Sequence, residues 1–312
     1  MRTLYSEIPD NLEAVKSFLI TDYSIYKSII EDSEFVVFYD TCAIQHHSCL
    51  KRQYQEKICE YIKAKKGIVV ITVCVLMELA GENHLLNENT ITFFKILHKN
   101  EIKIILLEES NVCNFLREAF QSVNKINEIF RYALREYNRA TTTIRETIKA
   151  SSVFKTLVSD ESVSENPNLC TNFFKSARSK KQPQDNLAEQ LMGICIYMLL
   201  HLPAEPSCKY TLFTDDKAAA ISLDKSIKSI PADVSNKKAG IYSSAKLFQN
   251  MFEEKFITTD RELKELIKTV YPNNIYVLAL NEKSDLQTAE HNFNAEELAI
   301  KIFKDGCFRI LF

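Results

Sequence analysis

Four acidic positions stand where a strand-like run ends or a helix-like run begins. Asp40 closes "FVVFYD", and Glu78 is the one charge in "ITVCVLMELAG". Asp185, with Glu189 one turn later, opens "QPQDNLAEQLMGICIYMLL", and the adjacent pair Asp215 and Asp216 follows "YTLFT". An Asp before a helix is explained by capping of its free N–H groups, but a cap needs only one carboxylate. A Glu in an apolar run needs a partner or a polar cleft. Gathered on one edge, such carboxylates ionise together only around cations. Oxygen-only ligands suit Mg²⁺ or Mn²⁺ rather than zinc, and such ions suit phosphodiester hydrolysis because they activate water and stabilise the attacking and leaving oxygens.

The surrounding elements are of the kind that gather strand ends. "FVVFYD" (35–40), "GIVVIT" (67–72), "IKIILL" (102–107) and "YTLFTD" (210–215) read as buried strands, with a further strand at "AGIYSS" (239–244). Helical patterns lie between them, "LKRQYQEKICEYIKAKK" after the first and "TFFKILHKN" before the third. Alternation of this kind predicts an α/β fold with an open parallel sheet flanked by helices in three layers, Rossmann-like in plan. Ligand sites in such sheets lie at the carboxyl ends of strands, where these acids fall.

Between the third and fourth strands apolar residues recur at helical spacing from Val112 to Ile148, and no proline falls between Pro9 and Pro167. The pattern predicts a long helical arm, with "LCTNFFKSARSK" as partner helix. Residues 112–181 hold twelve Lys/Arg against seven Asp/Glu. Arg131, Arg135 and Arg139, four apart, line one helix face: a solvated face, or a stripe that contacts RNA phosphates. The last sixty residues read as an α+β extension ("RELKELIKTVY", "NIYVLAL", "AEELAIKIF") covering a sheet edge or forming a partner surface. The expected organisation is an N-terminal helical segment (1–33), a discontinuous core (34–110 and 182–252), a helical insertion (111–181) and a C-terminal extension (253–312).

Composition narrows the class. The net charge of −2 and pI near 6.3 exclude a global basic field, so nucleic acid must be held by a local patch. Nine cysteines, an odd number without a CxxC motif, read as reduced thiols of a cytoplasmic protein; Cys74 and Cys195 lie inside apolar runs. No apolar signal region opens the chain, and "LMGICIYMLL" is too short to cross a bilayer, so no membrane is expected. Five glycines and no Gly-rich phosphate loop argue against an NTP-driven machine. His46 and His47 read as a surface pair within reach of the Asp40 end.

The order of motifs resembles the PIN-domain nucleases: Asp40-Thr41 at the first strand end, Glu78-Leu79-Ala80 after the second strand, Asp185 opening an apolar helix, and Thr214-x-Asp216 after the fourth strand. The likeness covers about Glu34–Glu108 and Gln182–Phe252. It implies a PIN-like fold and metal-dependent endoribonuclease activity. Asp40, Glu78, Asp185 and Asp216 would be the catalytic acids around Mg²⁺ or Mn²⁺, with Asp215 as a further metal ligand and Thr41, Glu189 and Thr214 as auxiliaries. RNA is the implied partner, with an inhibitory protein or a second copy as further candidates. Where many members have Asn, two residues after the first Asp, this chain has Cys42. Cys42 also stands against a haloacid-dehalogenase-type phosphatase, which needs a second Asp there. The alternative is a catalytically silent PIN-like module for RNA binding or assembly.

Overall fold

The computed structural model describes residues 4–138, 142–159, 165–203, 209–230, 238–280 and 288–312. Six strands, β1 (Leu19–Ile20), β2 (Phe35–Tyr39), β3 (Gly67–Thr72), β4 (Ile104–Leu107), β5 (Tyr210–Phe213) and β6 (Gly240–Tyr242), form one sheet. Every pairing is parallel, and the spatial order is β1-β4-β3-β2-β5-β6. All residues of β2 and β5 are buried, as expected for strands covered on both faces by helices. The chain builds outward from β2 through β3 to β4, then returns to place β5 on the other side of β2. The crevice between β2 and β5 is therefore the topological switch point of the sheet. The segment before β2, expected as purely helical, also supplies the edge strand β1.

The strands end in helix caps. Asp40 follows β2 and caps the helix Thr41–Ser48, while Thr72, the last residue of β3, caps Val73–Ala80 through an Oγ1 bond from the Val75 amide at 3.3 Å. Asp216 caps Lys217–Lys228 after β5, and Ser243 caps Ser244–Glu253 after β6. Register aligns these ends, since Tyr39 pairs with Phe213 and Phe38 with Val70. Helix N-termini, with their unpaired N–H groups and positive dipole ends, thus meet along one edge.

The insertion differs from the expected arm. The run from Val112 divides into helices Val112–Phe120, Val123–Tyr137, Thr143–Ala150 and Ser152–Ser159. The first break needs no proline: Gln121 takes a left-handed conformation (φ 51°) and Ser122 caps the next helix by accepting from the Lys125 amide. The partner helix is found at Leu169–Arg178. These helices fold down onto the core, with Phe130, Phe154, Phe173 and Phe174 buried and the Phe130 and Phe154 rings 5.4 and 5.2 Å from that of Phe173. A disulfide joins Cys113 to Cys170 across this packing, so those two residues depart from the reduced state expected of the cysteines. Residues 57 apart in the chain carry no pairing signal in their spacing.

The extension forms an antiparallel sheet of β7 (Ile275–Leu280), β8 (Ala289–Phe293) and β9 (Arg309–Ile310), in the order β8-β7-β9, with helices Asp260–Val270 and Ala295–Lys304. It is fastened to the core by Gln249, which donates to the Phe308 carbonyl at 2.6 Å and accepts from the Ile310 amide at 2.7 Å. Tyr54 donates to Glu265 at 2.6 Å, and Lys57 pairs with Glu262 at 2.7 Å.

One close approach sets the position of the insertion. In the helix Leu187–Leu199, a Cβ on Gly193 would lie 1.9 Å from the Tyr137 hydroxyl oxygen. Gly193→Ala must displace the buried Tyr137 ring, and overpacking of this kind costs roughly 1–3 kcal/mol. The expected outcome is a lower urea midpoint with an unchanged m-value. An unaltered midpoint would mean that the Tyr137 ring is not fixed against Gly193.

Candidate active site

Asp40 lies at the centre of the edge, 0% exposed. Its Oδ1 accepts from the Thr41 amide at 2.7 Å, and its Oδ2 accepts from the Thr214 hydroxyl at 2.7 Å and the Cys42 thiol at 2.9 Å. Cys42 therefore supplies a donor to the first carboxylate. Burial, together with the charges of Asp40 and Asp215, pushes the thiol well above its ordinary range, so it stays protonated. Thr214 reaches across the switch point, bonding Asp40 with its hydroxyl while accepting the Asp216 amide at 3.0 Å.

The adjacent acids after β5 have separate fates. Asp216 caps its helix, its Oδ1 accepting from the Ala218 and Ala219 amides at 2.6 and 3.0 Å; its Oδ2 takes no part in the cap. Asp215 turns the other way, where it accepts from the Ser244 amide (2.7 Å), the Ser244 hydroxyl (2.6 Å), His46 Nδ1 (2.7 Å) and the Tyr271 hydroxyl. Those bonds outweigh burial and hold its pKa below the usual carboxylate value. Both Asp215 oxygens are thus occupied by protein donors, as both Asp40 oxygens are, and its partners tie together the helices that follow β2 and β6 and the extension. The histidines also differ from a surface pair: His47 is 1% exposed, bonded to Tyr39 and, at 2.9 Å, to Ser244, and burial lowers its pKa to about 4.

Glu78 and Asp185 share one cation, Lys181. Its Nζ lies 2.9 Å from Glu78 Oε1, contacts Asp185 Oδ1, and its side chain is 3% exposed. Burial opposes the ammonium charge, but the two carboxylates outweigh it and hold Lys181 above the ordinary lysine range. Glu78 Oε2 accepts from Thr41 Oγ1 at 2.7 Å; Asp185 Oδ2 accepts from the Gln182 amide at 2.9 Å and Thr143 Oγ1 at 2.7 Å.

Glu189, an auxiliary in the sequence reading, is the acid least accommodated by the protein. Every other residue of its helix is buried, and Glu189 Oε2 is itself buried without a hydrogen-bond partner. Burial, then the charges of Asp40, Glu78 and Asp216, push its pKa up to about 9. Asp40, buried and beside Glu78, is pushed up to about 6. Near neutral pH the pair therefore carries one proton, the state expected of carboxylates packed together without a cation.

Of the three arginines spaced four apart, the structure describes two, and they do not share one open face. Arg131 is 5% exposed, with its guanidinium 5.1 Å from the Tyr132 ring centre, and Arg135 donates to the Val158 carbonyl at 2.7 Å. Arg131 is thus packed within the insertion, while Arg135 is half-buried. Arg139 lies outside the described residues. Arg178, unremarked in the sequence, is nearly fully buried and pairs with Glu7, Glu108 and the buried Glu109 beyond β4.

No family model, curated protein or solved structure matches the chain. Among the described residues no three His, Cys, Asp or Glu side chains form a group that could hold a metal ion as they stand. Glu189 Oε2 and, its ion pair with Lys181 aside, Glu78 Oε1 are buried at this edge without a hydrogen-bond partner, and the charges felt by Glu189 are those of Asp40, Glu78 and Asp216.

The proton on Glu189 gives a stability test. A carboxyl whose folded pKa exceeds its unfolded value loses stability as pH rises from the unfolded pKa to the folded one. In EDTA, wild-type stability should fall between pH 6.5 and pH 9, by at most about 1.4 kcal/mol per pH unit. Glu189→Gln should flatten that slope, read from urea midpoints at pH 6.5 and 8.5. Equal slopes in the two proteins would remove Glu189 from the buried cluster.

Proposed function

We propose that the chain is a metal-dependent endoribonuclease with a PIN-like core, hydrolysing RNA phosphodiester bonds at the switch point between β2 and β5. The observation that carries this reading is the buried, unbonded Glu189 oxygen in the field of Asp40, Glu78 and Asp216. A divalent Mg²⁺ or Mn²⁺ ion, when bound, would activate water and stabilise charge on the attacking and leaving oxygens. Asp40, Glu189 and Asp216 are the residues that would hold it.

The chain's own side chains prepare this arrangement. Thr214 fixes the Asp40 carboxylate and the turn leading to Asp216 with one hydroxyl. Cys42 and the Thr41 amide hold Asp40 from the helix side. Glu189 would have to give up its proton for a cation to be held there, so metal affinity should rise with pH. RNA, an inhibitory protein partner or a second copy, and a cytoplasmic setting belong to this proposal; the Cys113–Cys170 bridge weighs against a fully reducing compartment.

One observation favours the second reading, a silent PIN-like module for RNA binding or assembly. Lys181 already neutralises Glu78 and Asp185, so part of the acidic edge is satisfied without metal. Incubation of the purified chain with single-stranded, hairpin and tRNA substrates, with Mn²⁺ and with EDTA, separates the two. Cleavage is expected with Mn²⁺ only, and Asp40→Asn or Asp216→Asn should lower it at least a hundredfold with the fold retained. Binding without cleavage under every condition supports the silent module, and cleavage undiminished in EDTA refutes the metal mechanism.

A further inference from the structure

Beside Asp216 the insertion and the core stand apart over a cleft of about 400 Å³. One wall is the helix that Asp216 caps: Ala218, Ile221, Ser222 and Lys225 line it at three- and four-residue spacing, hence from one face. The other wall is the end of the helix Val123–Tyr137, with Glu136 and Tyr137. The Tyr137 hydroxyl is held 3.3 Å from Ser226 Oγ and against Gly193. Gln190 enters from the helix Leu187–Leu199, which packs on both walls.

Two observations point to an occupant. Gln190 is 5% exposed; its Nε2 donates to Asn186 Oδ1 at 3.0 Å, while its Oε1 is buried without a hydrogen-bond partner. An unmatched buried acceptor is a cost that a ligand's N–H group removes. The cleft also adjoins the acidic edge, because the Ala218 amide donates to Asp216 Oδ1 at 2.6 Å. At about 1.5 Å of rise per residue it runs roughly 10 Å from Ala218 to the exposed Lys225.

We propose that this cleft is a nucleobase subsite that reads a guanine beside the scissile phosphate. The inference rests on RNA being the ligand, as in the proposed function. Glu136 repels a phosphate from the wall it forms, but its carboxylate and Gln190 Oε1 are both acceptors and suit an edge built of N–H groups. Guanine is the base that presents two such groups side by side, N1–H and the N2 amine; the other three bases flank their donor with acceptors. Ser222 offers a hydroxyl donor to guanine O6, Tyr137 and Ile221 offer apolar cover to the ring, and Lys225 meets a neighbouring phosphate.

Fluorescence-anisotropy titration of end-labelled hexaribonucleotides tests this, in EDTA and, in the Asp40→Asn background, with Mn²⁺. The native cleft should bind oligouridine carrying one central guanosine about tenfold tighter than plain oligouridine. Inosine, which lacks the N2 amine, should give back about threefold of that gain. Gln190→Leu should abolish the preference and leave oligouridine affinity within about twofold, whereas Lys225→Gln should weaken both RNAs alike. Should Gln190→Leu fail to fold, Ile221→Trp, at a residue 44% exposed, fills the cleft and should abolish the preference too. No guanosine preference in the native cleft, or a preference surviving in folded Gln190→Leu or in Ile221→Trp, would overturn the subsite and leave the nuclease reading standing. Preference without cleavage in the Mn²⁺ assay would sustain the subsite and refute the nuclease. A chain that binds no RNA under either condition would refute the RNA reading and this inference together.

Discussion

Negative charge collected at the carboxyl edge of the parallel sheet is the constraint around which the rest of the molecule is arranged. Coulomb repulsion between close, partly buried carboxylates amounts to several kcal/mol per pair at an effective dielectric near 20, comparable with the stability of a whole domain. The protein answers it by three means. Helix N-termini begin at that edge and turn backbone N–H groups toward Asp40 and Asp216. Glu189 retains a proton. Lys181 and Arg178 bring cations into the interior.

Those cations make the insertion part of the site. Arg178 ends the helix Leu169–Arg178 and pairs with Glu109, whose other oxygen accepts from the Cys74 amide at 2.8 Å. A buried ion pair gains little net stability once desolvation is counted, but loss of one partner strands a buried charge at a cost of several kcal/mol. The two links therefore act mainly by specifying position. Arg178 registers the insertion on the end of β4, and three residues later Lys181 meets Glu78 beyond β3. The Glu7 and Tyr5 contacts extend the same clamp to the start of the chain.

How much of this is legible in the sequence follows from the range of each interaction. Strand ends are legible because apolar runs stop at them, and Asp40, Glu78, Asp185 and Asp216 all fall near one edge. The division of labour between Asp215 and Asp216 is not. Asp215 is decided by Ser244 and Tyr271, 29 and 56 residues away. By the resemblance Glu189 is an auxiliary, although it is the one charge in its helix, a signal as strong as that of Glu78. Lys181 follows Lys180 in a basic run and looks like a solvated residue; only the return of the insertion reveals its burial. Arg131 shows the converse, since helical spacing sets which residues share a face but not which of them is covered.

Thr214 shows why the unequal fates of the two aspartates are required. Its hydroxyl must donate to Asp40 across the crevice and accept the Asp216 amide along the chain, which fixes the backbone at the strand end. With Asp216 turned back onto its own helix, Asp215 points to the opposite side, toward the helix that follows β6. There an ionised carboxylate would be untenable without donors. Tyr271, from the extension, supplies one that the core does not contain. The extension thereby stabilises the far side of the switch point as the insertion stabilises the near side. The two additions to the core are alike in physical role: each brings a side chain to a carboxylate that the parallel sheet presents but cannot satisfy alone.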